Sequence, residues 1–271
     1  MTLRNVRIEV SYDGSRFYGW QRQDGFDSVQ AAIEDALAEL LDRVVVIHGA
    51  GRTDTGVHAL RQVAHFHVDT RIPDDRLRHA LNAHLPAGVS IRRAETCRDD
   101  FHARFDARGK RYAYLVRTSR ERPALGPEFT HWEKGVLDRA RMEDAARRME
   151  GERDFAAFGN TGSPRASTER RVDHVRLVVR RERFAIVVQG NGFLYKMVRT
   201  MAGTLLAVGK GNMAPEDVTR ALEAGDRKLA GPTAPARGLY LARVMYDEPV
   251  FAGRDRGPSG GAPGLVQDRV R

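Results

Sequence analysis

With 271 residues and 41% hydrophobic content, the chain can bury one large core or two ordinary ones, which excludes a disordered or fibrous protein. The formal net charge of +9 points to an anionic partner, most often nucleic acid and sometimes a membrane surface, and without the residues from 253 onward it is still +7. The single cysteine, Cys97, excludes an internal disulfide framework and a thiolate zinc site, so a reducing cytoplasm is the expected home.

Val6, Ile8, Val10 and Tyr12 alternate with Arg7, Glu9 and Ser11, which predicts a strand over 4–12. Asp27, with Gln30 as its capping-box partner, is expected to start a helix whose apolar stripe is Val29, Ile33, Ala36, Leu37, Leu40 and Leu41. The run Val44-Val45-Val46-Ile47 reads as a second strand and 62–68 as a third. Pro73 opens a short helix through Leu77, Leu81 and Leu85, and 89–94 reads as a strand. The pattern then repeats. Strand 111–116 precedes helix 138–149. Strands 172–179 and 184–189 are joined by the charged turn Arg180-Arg181-Glu182. Helices 193–208 and 215–222 lead to a last strand over 239–246.

The order β-α-β-β-α-β, repeated with one extra helix, is that of the ferredoxin-like split unit. The expected fold is therefore α+β: two ferredoxin-like βαββαβ halves sharing an antiparallel or mixed sheet, with helices on one face and a positively charged cleft between the halves. The expected divisions are 1–103 for an N-terminal half, 104–252 for a C-terminal half and 253–271 for a disordered Gly/Pro-rich tail. Residues 161–167 are expected to form a mobile surface loop. No stretch approaches the roughly 18 apolar residues of a membrane span, and the first residues lack the apolar core of a signal peptide.

The most informative segment is Gly51-Arg52-Thr53-Asp54-Thr55-Gly56-Val57-His58-Ala59. It sets one carboxylate, Asp54, in a glycine-flanked loop between strand-like runs, with Arg52 two residues before it. Such a carboxylate can serve as nucleophile or base. A hairpin connection with a structural Asp–Arg pair is the alternative. A phosphate-binding P-loop is excluded, because Gly56 is followed by Val57-His58 rather than Lys-Ser/Thr. A dinucleotide fingerprint is excluded because the residues after Gly56 read as extended, not helical.

Other stretches carry weaker signals. Tyr112 and Tyr114 share a strand face behind Lys110 and Arg111, which suits stacking on an extruded base or ordinary core packing. Lys196 and Arg199 lie at i and i+3 on the expected apolar helix, and need partners or a ligand unless they snorkel. His65 and His67 share a strand face, but no third metal ligand has the right spacing. The loop Tyr12 to Gln23, rich in aromatic and basic residues, reads as an RNA contact or a structural Ω-loop. Cys97 has no His-Asn/Asp relay nearby that would make it a nucleophile.

Taken together, these segments resemble the tRNA pseudouridine synthase A (TruA) family. The likeness is carried by Tyr12-Asp13-Gly14 with Gly19-Trp20-Gln21-Arg22-Gln23, by Gly51-Arg52-Thr53-Asp54 with Gly56-Val57-His58-Ala59, by Lys110-Arg111-Tyr112, by Asp154-Phe155-Ala156-Ala157-Phe158, and by Asn191-Gly192-Phe193-Leu194-Tyr195 with Met197-Val198-Arg199. It covers roughly residues 4–246. Thr55 departs from the alanine usual in the family.

The resemblance implies an isomerase that converts uridine to pseudouridine at positions 38, 39 and 40 of the tRNA anticodon arm. It implies no metal and no cofactor, and a homodimer with one tRNA lying across both subunits. It makes Asp54 the catalytic aspartate and Tyr112 the tyrosine that packs on the target base. It makes Arg199 the partner of Asp54, and Arg52 the arginine that helps hold the base out of the stack. Two other classes compete. An RNA-binding protein built of ferredoxin-like units would need the basic surface and aromatics but not Asp54. A glycoside-type hydrolase would need a second carboxylate, and only one stands out.

Overall fold

The computed structural model describes residues 3–160, 167–180, 183–248, 250 and 251. In chain order its elements are β1 (Arg4–Tyr12), α1 (Val29–Leu41), β2 (His48–Gly49), β3 (His58–Val68), α2 (Asp74–His84), β4 (Val89–Cys97), β5 (Gly109–Ser119), β6 (His131–Lys134), α3 (Arg139–Arg148), β7 (Gly151–Asp154), β8 (Glu169–Arg180), β9 (Arg183–Gly190), α4 (Met197–Gly209), α5 (Pro215–Ala224) and β10 (Leu239–Met245). The protein is a mixed α+β chain with mostly antiparallel strands. It divides into two compact units, one holding the residues up to Arg108 together with those from Leu241, the other running Gly109–Tyr240. The contiguous second half expected over 104–252 is thus interrupted by β10, most of which returns to the first unit beside β3. Among the described residues no helix is long and apolar enough to cross a membrane. The expected loop at 161–166, the turn residues Arg181 and Glu182, and the expected tail lie outside the described residues.

In the first unit the strand order is β4-β1-β3-β10, with β2 beside β3. Ile8 of β1 sits opposite Ala64 of β3 and Ala94 of β4. Val6, Ile8 and Val10 are fully buried, as their alternation predicts, and so are Ile33 and Leu37 of α1 and Leu77 and Leu81 of α2. Each such side chain contributes about 1.5–3 kcal/mol by leaving water. On the opposite face of β1, Asn5 and Glu9 are buried as well. The Asn5 amide donates to the carbonyls of Arg98, Asp99 and Phe101 at 3.2, 3.2 and 2.8 Å, drawing the chain after β4 across that face. The Arg7 guanidinium lies 5.3 Å from the Phe101 ring centroid and 5.6 Å from that of Phe251, and pairs with Glu95.

Three expectations for this unit are corrected. Ser28, not Asp27, caps α1: its extended backbone aims the hydroxyl at Ala31 N–H, 3.2 Å away, while the Asp27 carbonyl accepts from Tyr18 N–H at 2.8 Å. Pro73 is the residue before α2, not its first helical one. The β-branched run 44–47 forms no strand. Its alternation is real, since Val45 and Ile47 are buried while Val44 and Val46 are 87% and 55% exposed. Its polar partner, however, is a helix rather than a ladder. The Ile47 N–H donates to Glu34 Oε1 at 3.1 Å, and Gln30 Nε2 donates to the Ile47 carbonyl at 3.2 Å. Pairing to β3 begins only at His48, opposite His65.

In the second unit the order is β5-β9-β8-β7, and the short β6 runs parallel to β5 with His131 opposite Val116. Neither β6 nor β7 was foreseen. Both have four residues, and β7 is exposed throughout, so no apolar alternation marks it. Asp138, expected as the first residue of the helix, instead caps α3, accepting from Arg141 N–H at 3.1 Å. α4 is buried at every position but Arg199, as a helix apolar on all sides should be. A Cβ on Gly203 would lie 1.8 Å from the Pro232 carbonyl oxygen, so the segment 231–234 rests directly on the helix backbone.

The first unit also gathers four histidines. The His65 ring lies 4.6 Å from that of His102, 5.2 Å from that of His48 and 6.1 Å from that of His67. Its Nδ1 accepts from the Ala103 N–H at 3.2 Å. No group of three His, Cys, Asp or Glu side chains among the described residues is placed to hold a metal. Burial, reinforced by His102 and His48, lowers the His65 pKa from 6.5 to about 4. The unfolded chain therefore takes up a proton that the folded one resists, and stability falls as pH drops from the ordinary value toward about 4. The expected outcome is a falling urea midpoint over that interval, with a smaller fall in His65→Asn. A constant difference between the two proteins from pH 7 to 4 would contradict it.

Candidate active site

The loop joining β2 to β3 carries Arg52, Thr53 and Asp54, and its conformation is set by backbone packed on backbone. A Cβ on Gly14 would lie 2.0 Å from the Val57 carbonyl oxygen, and one on Gly19 would lie 2.6 Å from that of Thr53. Gly19 also has φ +89°, in the region that disfavours any side chain. Through these bare positions the segment after β1 bonds to the loop. Trp20 N–H donates to the Thr53 carbonyl at 3.1 Å, and Gly56 N–H to the Gly14 carbonyl at 3.2 Å. From β3, Gln62 Nε2 donates to the Gly51 carbonyl at 2.8 Å. Within the loop, Val57 N–H donates to the Asp54 carbonyl at 3.1 Å, closing a turn that Gly56 completes at φ +79°.

Side chains lock the same arrangement. Thr53 points inward, 7% exposed, with its hydroxyl 2.8 Å from that of Tyr12. Burial raises the Tyr12 pKa well above its ordinary value, so this is a contact between two neutral hydroxyls. The Trp20 indole lies under Gly49, where a Cβ would come within 2.6 Å of it. His58 is 1% exposed, and its Nδ1 accepts from Gly14 N–H at 3.1 Å. With Thr53 turned in, Asp54 is half-buried and Arg52 and Thr55 are exposed. The loop thus carries a half-buried carboxylate on a backbone held by main-chain contacts.

The remaining expected residues stand in the second unit. Tyr112 on β5 is 9% exposed and meets Phe193 edge to face, ring centroids 5.3 Å apart at 88°. Tyr114, on the same strand face, is fully buried and donates its hydroxyl to the Pro235 carbonyl at 3.0 Å, so the two tyrosines do different work. Arg199 is half-buried near the start of α4. Its Nε donates to the Ala234 carbonyl at 2.8 Å, and Ala234 N–H donates back to the Arg199 carbonyl at 3.1 Å. Lys196 does not share a helix face with it. Lys196 precedes α4 with φ +59°, and its Nζ lies 4.8 Å from the Tyr195 ring centroid.

Sequence reasoning picked out Asp54, Arg52, Tyr112 and Arg199 but gave no role to His58, Gln62 or the segment 231–235. The glycines at 14 and 19 were the available signal for the clamp, since paired glycines permit close backbone approach. Nothing in the composition of 231–235 marks it as the support of Arg199.

The first unit of this α+β protein carries a carboxylate on a loop braced by the sheet, and the second unit carries Tyr112 and an anchored Arg199. A family model described as tRNA pseudouridine synthase matches residues 8–106 and 145–247, and the chain belongs to that family. It is an isomerase acting on tRNA. Within the family it is 41% identical over 245 residues to tRNA pseudouridine synthase A of Ruminiclostridium cellulolyticum, covering 90% of this chain and 100% of the relative. It is also 41% identical over 259 residues to tRNA pseudouridine synthase A of Paramagnetospirillum magneticum, covering 95% and 100%. A solved structure, that of the archaeal box H/ACA sRNP Nop10-Cbf5 complex, aligns with 83% of this chain and 70% of that one at TM-score 0.32 and 12% identity, too distant a likeness to bear on the fold.

The clamp can be tested at Gly19. Gly19→Ala must either relax φ or displace Thr53, so we expect stability to fall by at least about 1 kcal/mol and pseudouridine formation to fall with it. Thermal melting and turnover on tRNA, both at wild-type values, would contradict this.

Proposed function

We propose that this enzyme converts uridine to pseudouridine at positions 38, 39 and 40 of the tRNA anticodon arm, with Asp54 as its catalytic carboxylate. The observation that carries the proposal is a half-buried carboxylate on a loop that buried contacts hold from two sides. The reaction breaks the N1–C1′ bond, turns the uracil and rejoins it through C5; the proton lost from C5 is balanced by one gained at N1. A stacked base is out of reach of any side chain, so the uridine is flipped first, at a cost of a few kcal/mol. Asp54 then adds to the sugar C1′, adds to C6 of the base, or removes the proton whose loss leads to a glycal. All three roles need an anionic, aimed carboxylate.

In this reading Arg199 supplies the cationic partner of Asp54, Arg52 helps hold the base out, and Tyr112 packs on the uracil. The hydrogen bonds between Arg199 and Ala234 support it, because they fix the guanidinium before substrate arrives. The two units serve as ferredoxin-like halves flanking a positively charged cleft. The enzyme works as a homodimer in the cytoplasm, each tRNA lying across both subunits, without metal or cofactor. The net charge of +9 supports binding by phosphate neutralisation, which weakens steeply with salt.

Asp54→Asn is the deciding variant. Because phosphate contacts dominate affinity, tRNA binding should stay within about tenfold of wild type, while pseudouridine formation is lost. Product accumulating near the wild-type rate would refute the assignment. Tyr112→Ala should slow single-turnover conversion through the loss of about 1–3 kcal/mol of stacking. An unchanged single-turnover rate would reduce Tyr112 to a packing residue.

A further inference from the structure

The segment between β1 and α1 carries four large aromatic residues, and the structure splits them into two pairs. Phe17 and Trp20 are 6% and 3% exposed, so they do the packing. Tyr18 and Phe26 are 55% and 47% exposed, yet their rings lie 4.6 Å apart at 49°. Two mutually packed rings with half their surface in water contribute little to the core. Their positions are nevertheless built. Tyr18 N–H donates to the Asp27 carbonyl at 2.8 Å, and Phe26 closes a tight turn by donating to the Gln23 carbonyl at 3.3 Å, with Gly25 at φ +78°.

The location gives the pair a meaning. Tyr18 precedes Gly19, whose Cβ position would lie 3.2 Å from the Asp54 carbonyl carbon. Adjacent Cα atoms are about 3.8 Å apart, so the backbone of Tyr18 lies within roughly 8 Å of that of Asp54. Arg52 is exposed on the same loop as Asp54, and the Arg16 side chain is 59% exposed two residues before Tyr18. An exposed aromatic platform beside cations matches the chemistry of an unpaired or unstacked nucleobase with its phosphate.

We propose that Tyr18 and Phe26 stack on a nucleobase neighbouring the target uridine. Flipping that uridine out uncovers the faces of the bases on either side, and the pair caps one of them. This inference rests on the reading of Asp54 as the catalytic group and adds a binding contact to it. It also divides the two roles open to the segment, assigning packing to Phe17 and Trp20 and contact with RNA to Tyr18 and Phe26.

The test is a double substitution, Tyr18→Ala with Phe26→Ala, assayed on tRNA and on matched RNAs carrying an abasic nucleotide on either side of the target. The expected result is a rise in KM of about tenfold with the saturating rate within about twofold of wild type, restored when Tyr18→Phe replaces Tyr18→Ala. In wild type one abasic neighbour should raise KM as much as the double substitution does, and the two changes together should do no more than either alone. Unchanged KM in a normally melting double variant would overturn the proposal, as would effects of the two changes that multiply. A double variant that loses self-association in sedimentation would assign the rings to contact between copies and overturn it too. Pseudouridine formation by Asp54→Asn near the wild-type rate would instead sink the underlying assignment of Asp54, whatever the ring variants do.

Discussion

Two glycines pressed against a carbonyl-lined loop are the constraint on which the site depends. At 14 and 19 the backbone after β1 comes so close to residues 53–57 that no side chain fits between them. Closeness lets main-chain groups bond directly, each bond worth about 0.5–1.5 kcal/mol net. A main-chain contact also has no rotamers to explore, so it positions more tightly than a side-chain one. A carboxylate with a chemical task gains most from that, because a misplacement of about 1 Å can cost orders of magnitude in rate.

The rest of the first unit keeps this contact in register. β1 delivers Tyr12 under Thr53, β3 delivers Gln62 under Gly51, and α1 holds the approach to β2 through Glu34 and Gln30. Each of these polar groups is satisfied by a partner on a different element, so moving one element would orphan several buried groups at about 1–3 kcal/mol each. In the second unit α4 plays the corresponding part. It is buried nearly all round, and Gly203 lets the 231–234 segment lie on its backbone, where Thr204 accepts from Gly231 N–H at 2.9 Å. That segment in turn holds Arg199 by both its guanidinium and its carbonyl.

Much of this was legible in the residue pattern. The alternation of Val6, Ile8 and Val10 and the stripe Val29-Ile33-Leu37 each report a local period, and both stand where they were expected. The errors share a cause. Val44 to Ile47 had the composition of a strand, but a ladder needs a partner, and Glu34 and Gln30 offered one from a helix first. Nothing nearby in sequence announces that Phe101 and Phe251 will pack over Arg7 on the polar face of β1. The strands β6 and β7 were too short and too polar to carry a period.

From its own residues the chain determined that it is α+β, that it is basic, and that Asp54 sits in a glycine-flanked loop next to Arg52, because charge, periodicity and glycine placement are local properties. Tertiary structure alone decided that β10 returns to the first unit, that His58 and Gln62 brace the loop, and that Ala234 anchors Arg199. It also decided which aromatic rings between β1 and α1 face the core and which face water. Those outcomes depend on which groups from distant parts of the chain reach a given donor or cavity first, and that competition leaves no mark on any single stretch of sequence.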